Sequence, residues 1–378
     1  MRKLFLLAVA GLAASLLTAA GSAGAGTSTG ATSSATNACA AQAPAGGRIA
    51  GVLTAQEVAS TCQAHNTSDA ADGTPPLIWH GGPMMGTEAT GPVIVTPIFW
   101  NPTGHPMDSR YKAIITQYLF DVAVDSGQHT NVFSTLNEYF GSNGNIQYRV
   151  KLGIPVDDHQ PLPADGCTLD NASKTGIYAD GSGYDSCLDD DQVIAETNRV
   201  VKLQHMPRDF AHIYILFVPK HVETCFYPGS TTVGGQNFCT INNLPTTTYC
   251  AYHSISPQGM VYANLPYPIY DSASGFTCGS DAAFPTVQSP NHNLDADTEV
   301  SPTSHEIMES ITDPDTETGW YDSNFYENGD ECAYVYGGTR GAPGALYNQT
   351  IFFHHYLTQE EFSNKDFAVT GKGCLPYE

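Results

Sequence analysis

Positive charge is what this chain has least of. Lys and Arg number 15 against 38 Asp and Glu in 378 residues, a formal net charge of −23. Such a surface repels a phosphate backbone, so nucleic acids are excluded as partners, and anionic membrane surfaces with them. Beyond the first 25 residues no stretch is apolar for long enough to cross a bilayer. There is no Cys-x-x-Cys pair, which argues against a cysteine-ligated zinc. No Walker or dinucleotide-binding glycine motif is present. Large apolar residues are nearly missing from 26–47, a run of Ala, Gly, Ser and Thr that reads as a flexible spacer.

Residues 1–25 read as a secretory signal. Met1-Arg2-Lys3 is the charged start, Leu4 to Ala20 is mostly apolar, and Ala23-Gly24-Ala25 suits cleavage. A secreted, extracellular chain with ten cysteines, all beyond that point, is expected to form disulfides. Nearest neighbours in sequence give Cys39–Cys62, Cys167–Cys187 and Cys332–Cys374. Cys225, Cys239, Cys250 and Cys278 then share two further bonds. Residues 26–75 are expected to be spacer and pro-segment or N-terminal clasp, and 76–378 a single domain.

Strands and helices alternate along that domain. Val93 to Trp100 is a β-branched and aromatic run, and Pro97 inside it predicts an edge position or a bulge. Helical periodicity follows over Asp108 to Val124, Asn131 to Phe140 and Asp189 to Gln204, with strands over Ile146 to Ile154, His212 to Val218, Tyr249 to Ser254 and Met260 to Leu265. The fold class is therefore α/β or α+β, a twisted mixed sheet with packed helices, stapled by disulfides.

The most informative stretch is Ser304-His305-Glu306-Ile307-Met308-Glu309, which reads H-E-x-x-E. It is a one-residue variant of the zinc-protease motif H-E-x-x-H, in which helix positions i and i+4 grip one metal and the intervening Glu reaches a metal-bound water. At 3.6 residues per turn, His305 and Glu309 lie about 40° apart around the axis and Glu306 about 100° from His305. That geometry makes His305 and Glu309 ligands and Glu306 the general base. Ile307, Met308 and Ile311 fall on the other side and are assigned to the core. Asp313-Pro314 ends the helix. Ser301 as N-cap with Pro302 at the first helical position would start it, unless the helix begins earlier.

A third ligand is required. Glu327 lies 18 positions after Glu309 and is followed by Asp330 in an E-x-x-D arrangement. This resembles the glutamate-zincin pattern, in which the later acid orients the first histidine. Asp330 is also an alternative ligand, and Glu331 a weaker one. His354-His355 is a second option, although Phe352, Phe353 and Tyr356 around it suggest a strand. Tyr321 and Tyr326 are available as oxyanion donors. The acidic stretch Asp180 to Asp191 offers oxygen ligands for Ca²⁺ but lacks EF-hand spacing, and a solvated loop explains it better.

Several segments resemble the phosphate-induced, or EXORDIUM, family: His80-Gly81-Gly82-Pro83, Ile98-Phe99-Trp100, Arg110 with Ile114 and Ile115, Asn131 to Phe140, Tyr252-His253-Ser254, Ser304-His305-Glu306 and Thr312-Asp313-Pro314. The plant members are extracellular proteins linked to growth, and their helix usually reads Ser-His-Glu-Leu-Ala, without the second carboxylate. This chain is similar to bacterial relatives that carry Glu309 and Gly329 to Cys332. The resemblance puts His80 and His253 beside its motifs, where they would line the cleft, stabilise an oxyanion or serve as structural histidines.

Two functions are expected from these residues. One is a secreted Zn²⁺-dependent hydrolase acting on a peptide or protein substrate. The other is a non-catalytic extracellular protein that binds a wall polymer or a protein partner.

Overall fold

The computed structural model describes residues 75–169, 174–226, 239–240, 249–270, 277–323 and 325–377. The signal, the spacer and the Cys39–Cys62 pairing lie outside the described residues.

The chain folds as α/β around a six-stranded mixed sheet. Its strands are β1 (Val93–Trp100), β2 (Val150–Leu152), β3 (Val156–Asp158), β4 (His212–Phe217), β5 (Tyr252–Ile255) and β6 (Val261–Leu265). Across the sheet the order is β5, β6, β4, β1 and then β2 with β3. All pairings are parallel except that of β5 with β6. The antiparallel strand β5 is thus one end of the sheet.

Pro97 is not at an edge, because β1 is flanked on both sides. Its neighbour β4 runs alongside Ile94 to Phe99, while on the other side β2 covers Val93 to Val95 and β3 covers Ile98 to Trp100. The amide of Val93 bonds toward β2 and that of Ile94 toward β4. Alternation sends the position of Pro97's missing N–H to the β2/β3 side, at the break between the two short strands. The proline is accommodated by dividing its neighbour.

Side-chain alternation splits the sheet into two apolar faces. Val93, Val95, Phe99, Ile213, Ile215, Phe217, Val261, Ala263 and Leu265 join one core with Tyr111, Ile115, Tyr118 and Leu119 of helix α1 (Ser109–Val124). The same core takes Val300, Ile307, Met308 and Ile311 of helix α3 (Leu294–Thr312). Ile98, Trp100, Tyr214, Leu216, Tyr252 and Tyr262 face the other way, onto Val193, Val200 and Val201 of helix α2 (Asp190–Leu203). The sheet is a layer between helices, as the alternating pattern predicts.

Side-chain caps set the helix starts. Asp108 accepts from the Tyr111 amide at the head of α1. Asp189 and Gln192 form a reciprocal capping box on α2. Asn131 to Phe140 is a tighter turn than expected, a 3₁₀ helix over Val132–Glu138. Helix α3 begins seven residues before Ser301, capped by Asn293 on the Ala296 amide, with Asp295 and Asp297 in its positive first turn. Pro302 therefore stands inside the helix and leaves the Thr298 carbonyl without its usual i+4 donor.

Four disulfides join described residues: Cys167–Cys187, Cys225–Cys239, Cys250–Cys278 and Cys332–Cys374. Among the described residues no helix is long and apolar enough to cross a membrane.

Candidate metal centre

Helix α3 is not half solvated, as an amphipathic reading of it implies. Every residue from Ala296 to Thr312 is buried, the polar face as fully as the apolar one. What covers the polar face is the loop Glu327 to Asp330 and strand β5. Side chains His305, Glu306, Glu309, Glu327 and His253 all have no solvent exposure, and the Asp330 side chain has 9%.

The loop reaches the helix because residue 329 is glycine. A Cβ there would stand 2.7 Å from His305 Nδ1 and 2.9 Å from Glu309 Oε1. The Asp330 amide donates to Glu309 Oε1 at 3.0 Å, and the Glu327 amide to Asp330 Oδ2 at 3.2 Å. Gln359 holds the loop from outside by donating to the Gly329 carbonyl at 2.7 Å, and Cys332–Cys374 ties its far end.

Strand β5 supplies His253 by parity. Tyr252 faces α2, where its hydroxyl donates to Asp190 Oδ1 at 2.6 Å, so His253 points to the α3 side. Its Nε2 is 3.1 Å from the carbonyl oxygen of Asp313, an acceptor only. That contact places the proton of the neutral ring on Nε2 and the lone pair on Nδ1. Nδ1 lies 3.4 Å from Glu306 Oε2 and 3.7 Å from Glu309 Oε2. Sequence reading left His253 outside the ligand set, and the signal that finds it is the face of the sheet that α3 covers, a tertiary fact.

Two sets of donor atoms result, each within 4.8 Å of one another: His305, Glu309 and Asp330, and His253, Glu309 and Glu327. Either set can hold a metal ion. His305 Nε2 is 2.9 Å from Glu309 Oε1 and 3.5 Å from Asp330 Oδ1. Glu327 sits in the second set, with its Oε1 3.9 Å from His253 Nε2. The sequence-assigned trio His305, Glu309 and Glu327 is thus spread over both sets, and Asp330 stands beside His305.

The electrostatics are those of concentrated negative charge. Burial, then the nearby Asp330, push the Glu309 carboxyl up to about 7. Burial opposes charge on His305, but Glu309 and Asp330 outweigh it and hold that imidazole well above the usual histidine range. Burial also pushes up Glu361, a further acid close enough to feel His305 and Glu309, which no sequence motif marks.

The remaining sequence candidates lie elsewhere. His80 stacks on Tyr321 with ring centroids 3.6 Å apart. His354 Nδ1 is 2.8 Å from Asp121 and His355 stacks on Tyr347, so this pair is not a third ligand. The Tyr321 hydroxyl donates to the Glu317 carbonyl, and Tyr326 is buried. The acidic stretch disperses: Asp180 pairs with Lys220, Asp189 caps α2, and Asp190 accepts from Tyr252 and Tyr262. Its carboxylates do not converge on one Ca²⁺ position. Glu331 is not among the grouped donors.

Comparison of the chain with protein-family models, with curated proteins and with solved structures found no match.

Proposed function

We propose that this is a secreted, metal-dependent hydrolase, with zinc as the ion and a peptide or protein as substrate. His305, Glu309 and Asp330, with Glu327 close by, supply the donors. A divalent ion on them would polarise a water and bring its pKa toward neutrality. Glu306, on the same helix, would take the proton of that water and deliver it to the leaving group. The observation that carries this reading is the convergence of His305, Glu309 and Asp330 within 4.8 Å, at the helical spacing the motif requires. The zincin-like character rests on that spacing, and export rests on the N-terminal signal pattern together with the disulfides.

The test is metal content and chelator-sensitive cleavage of a broad peptide library by the purified chain. Cleavage abolished by chelation and restored by Zn²⁺ supports the reading. Absence of bound metal after reconstitution overturns it.

A second reading is favoured by the complete burial of His253, His305, Glu306, Glu309 and Glu327. In it the ion staples strand β5, helix α3 and the 327–330 loop, and the protein binds a wall polymer or a protein partner, as the EXORDIUM resemblance implies. Chelation then unfolds the protein, and no substrate is cleaved at any pH.

A further inference from the structure

We propose that the centre holds two divalent cations bridged by the carboxylate of Glu309. This rests on the metal-binding part of the reading above and goes beyond its single ion.

The two donor sets share Glu309 and nothing else. The carboxylate turns a different oxygen to each. Oε1 faces His305 Nε2 at 2.9 Å, whereas Oε2 faces His253 Nδ1 at 3.7 Å. Donors on one ion at ~2.0–2.2 Å stand no more than ~4.4 Å apart. The two histidines do not fall together in one donor set even at the looser limit of 4.8 Å. One ion therefore cannot take both imidazoles without rearrangement, and two ions can. A carboxylate spanning two ions ~3.5–4 Å apart is a recurrent way to build such a centre.

Two further observations support a second cation. Glu309 Oε2 is fully buried and accepts no hydrogen bond among the described residues, so the shared acid has an oxygen available on the His253 side. A buried carboxylate oxygen in that position is costly unless a cation or donor meets it. In addition, the chain carries no Lys or Arg between Lys220 and Arg340, the span that supplies β5, α3 and the loop. That span contributes Glu306, Glu309, Glu327 and Asp330 to the centre with no basic side chain of its own to offset them. One divalent ion balances two of these acids, and two ions balance all four.

In this arrangement His305, Asp330 and Glu309 Oε1 hold one ion, and His253, Glu327 and Glu309 Oε2 the other. Glu306, with Oε2 3.4 Å from His253 Nδ1, borders the second ion.

The experiment uses the full chain, stripped by chelator and dialysed against Mn²⁺ or Zn²⁺, with bound metal counted by mass spectrometry. Two ions per chain are expected, with the exchange-coupled electron paramagnetic resonance signal of a Mn²⁺ pair. His253→Ala and the nearly isosteric Glu327→Gln should each fall to one ion and lose the coupled signal. One ion in the wild type overturns the pair and leaves a single-ion hydrolase standing. No ion overturns both. Two ions retained by His253→Ala and by Glu327→Gln also overturn the assignment of the second position.

Discussion

His253 of β5, an end strand of the sheet, and Glu306 of helix α3 meet with Nδ1 and Oε2 3.4 Å apart, both without solvent exposure. The contact joins two segments about fifty positions apart in sequence. It also gives Glu306 a neighbour that its helix alone does not reveal. His305 faces the 327–330 loop and Glu306 is turned toward β5, while Glu309 lies between them with Oε1 toward His305 and Oε2 toward His253. The helical offset of about 100° between His305 and Glu306 thus turns the two side chains toward different neighbours, the 327–330 loop and β5.

In the proposed centre, that division makes Glu306 separable from metal retention by His305, Glu309 and Asp330. Glu306→Gln keeps the volume and removes the proton acceptor. The variant is expected to keep at least one ion and to lose ~10²–10⁴ in turnover, the usual contribution of general base catalysis. His305→Ala should lose activity together with metal. Activity of Glu306→Gln within threefold of wild type, with metal retained, would remove the base assignment.

Gly329 offers a purely steric test. Its φ of −75° is open to any residue, so alanine there adds no backbone strain. Its Cβ would nevertheless stand 2.7 Å from His305 Nδ1 and 2.9 Å from Glu309 Oε1. The loop must retreat, and Asp330 with it. Gly329→Ala is expected to weaken metal affinity by ~10–100-fold, as disturbed supporting contacts do, while circular dichroism stays native. Unchanged affinity would mean that the loop is not part of the metal centre.

The parts of this centre legible in sequence are those fixed by local periodicity. His305 and Glu309 follow from helical spacing, and α1 and α2 begin where Asp108 and Asp189 offer caps. Strand β1 was readable to the residue because its β-branched run is bounded by turn-forming residues. What was not legible depends on which surfaces meet. The loop 327–330 and β5 seal the polar face of α3, and no property of α3 by itself announces that. Pro97 shows the same limit: a proline in a strand implies an edge or a bulge, and here the strand is central and the neighbouring strand is interrupted beside it.

Asp190 carries a pH prediction. Burial pushes its carboxyl from an ordinary 3.8 up to about 6, with Tyr252 and Tyr262 hydroxyls donating to Oδ1 against that rise. An acid whose pKa is raised in the folded state favours folding when protonated. That contribution is complete below 3.8 and is lost as pH rises through about 6. Asp190→Asn keeps the acceptor oxygen and cannot ionise. Its Tm relative to wild type should therefore climb between pH 4 and pH 7, measured by thermal denaturation in matched buffers. A constant difference across that range would mean that Asp190 does not titrate there. Because Asp190 also anchors Tyr252 beside His253, a shift in metal affinity in the same variant would show that the strand's position matters to the site.

The Cys332–Cys374 bond closes a loop of sequence separation 42, and Cys332 lies two residues beyond Asp330. Loop-closure entropy for that length gives about 4 kcal/mol of stabilisation, exerted through the unfolded chain. The double variant Cys332→Ser with Cys374→Ser should lower the unfolding free energy by about that amount. The effect on the centre should be smaller, because Gly329 is also held by Gln359 and Asp330 by Glu309, neither of which involves sulfur. The expected result is a large fall in denaturation midpoint with metal stoichiometry unchanged in the folded state. If stoichiometry falls in the folded variant as well, the disulfide positions the Asp330 carboxylate directly, and reduction of this one bond becomes a way to empty the site.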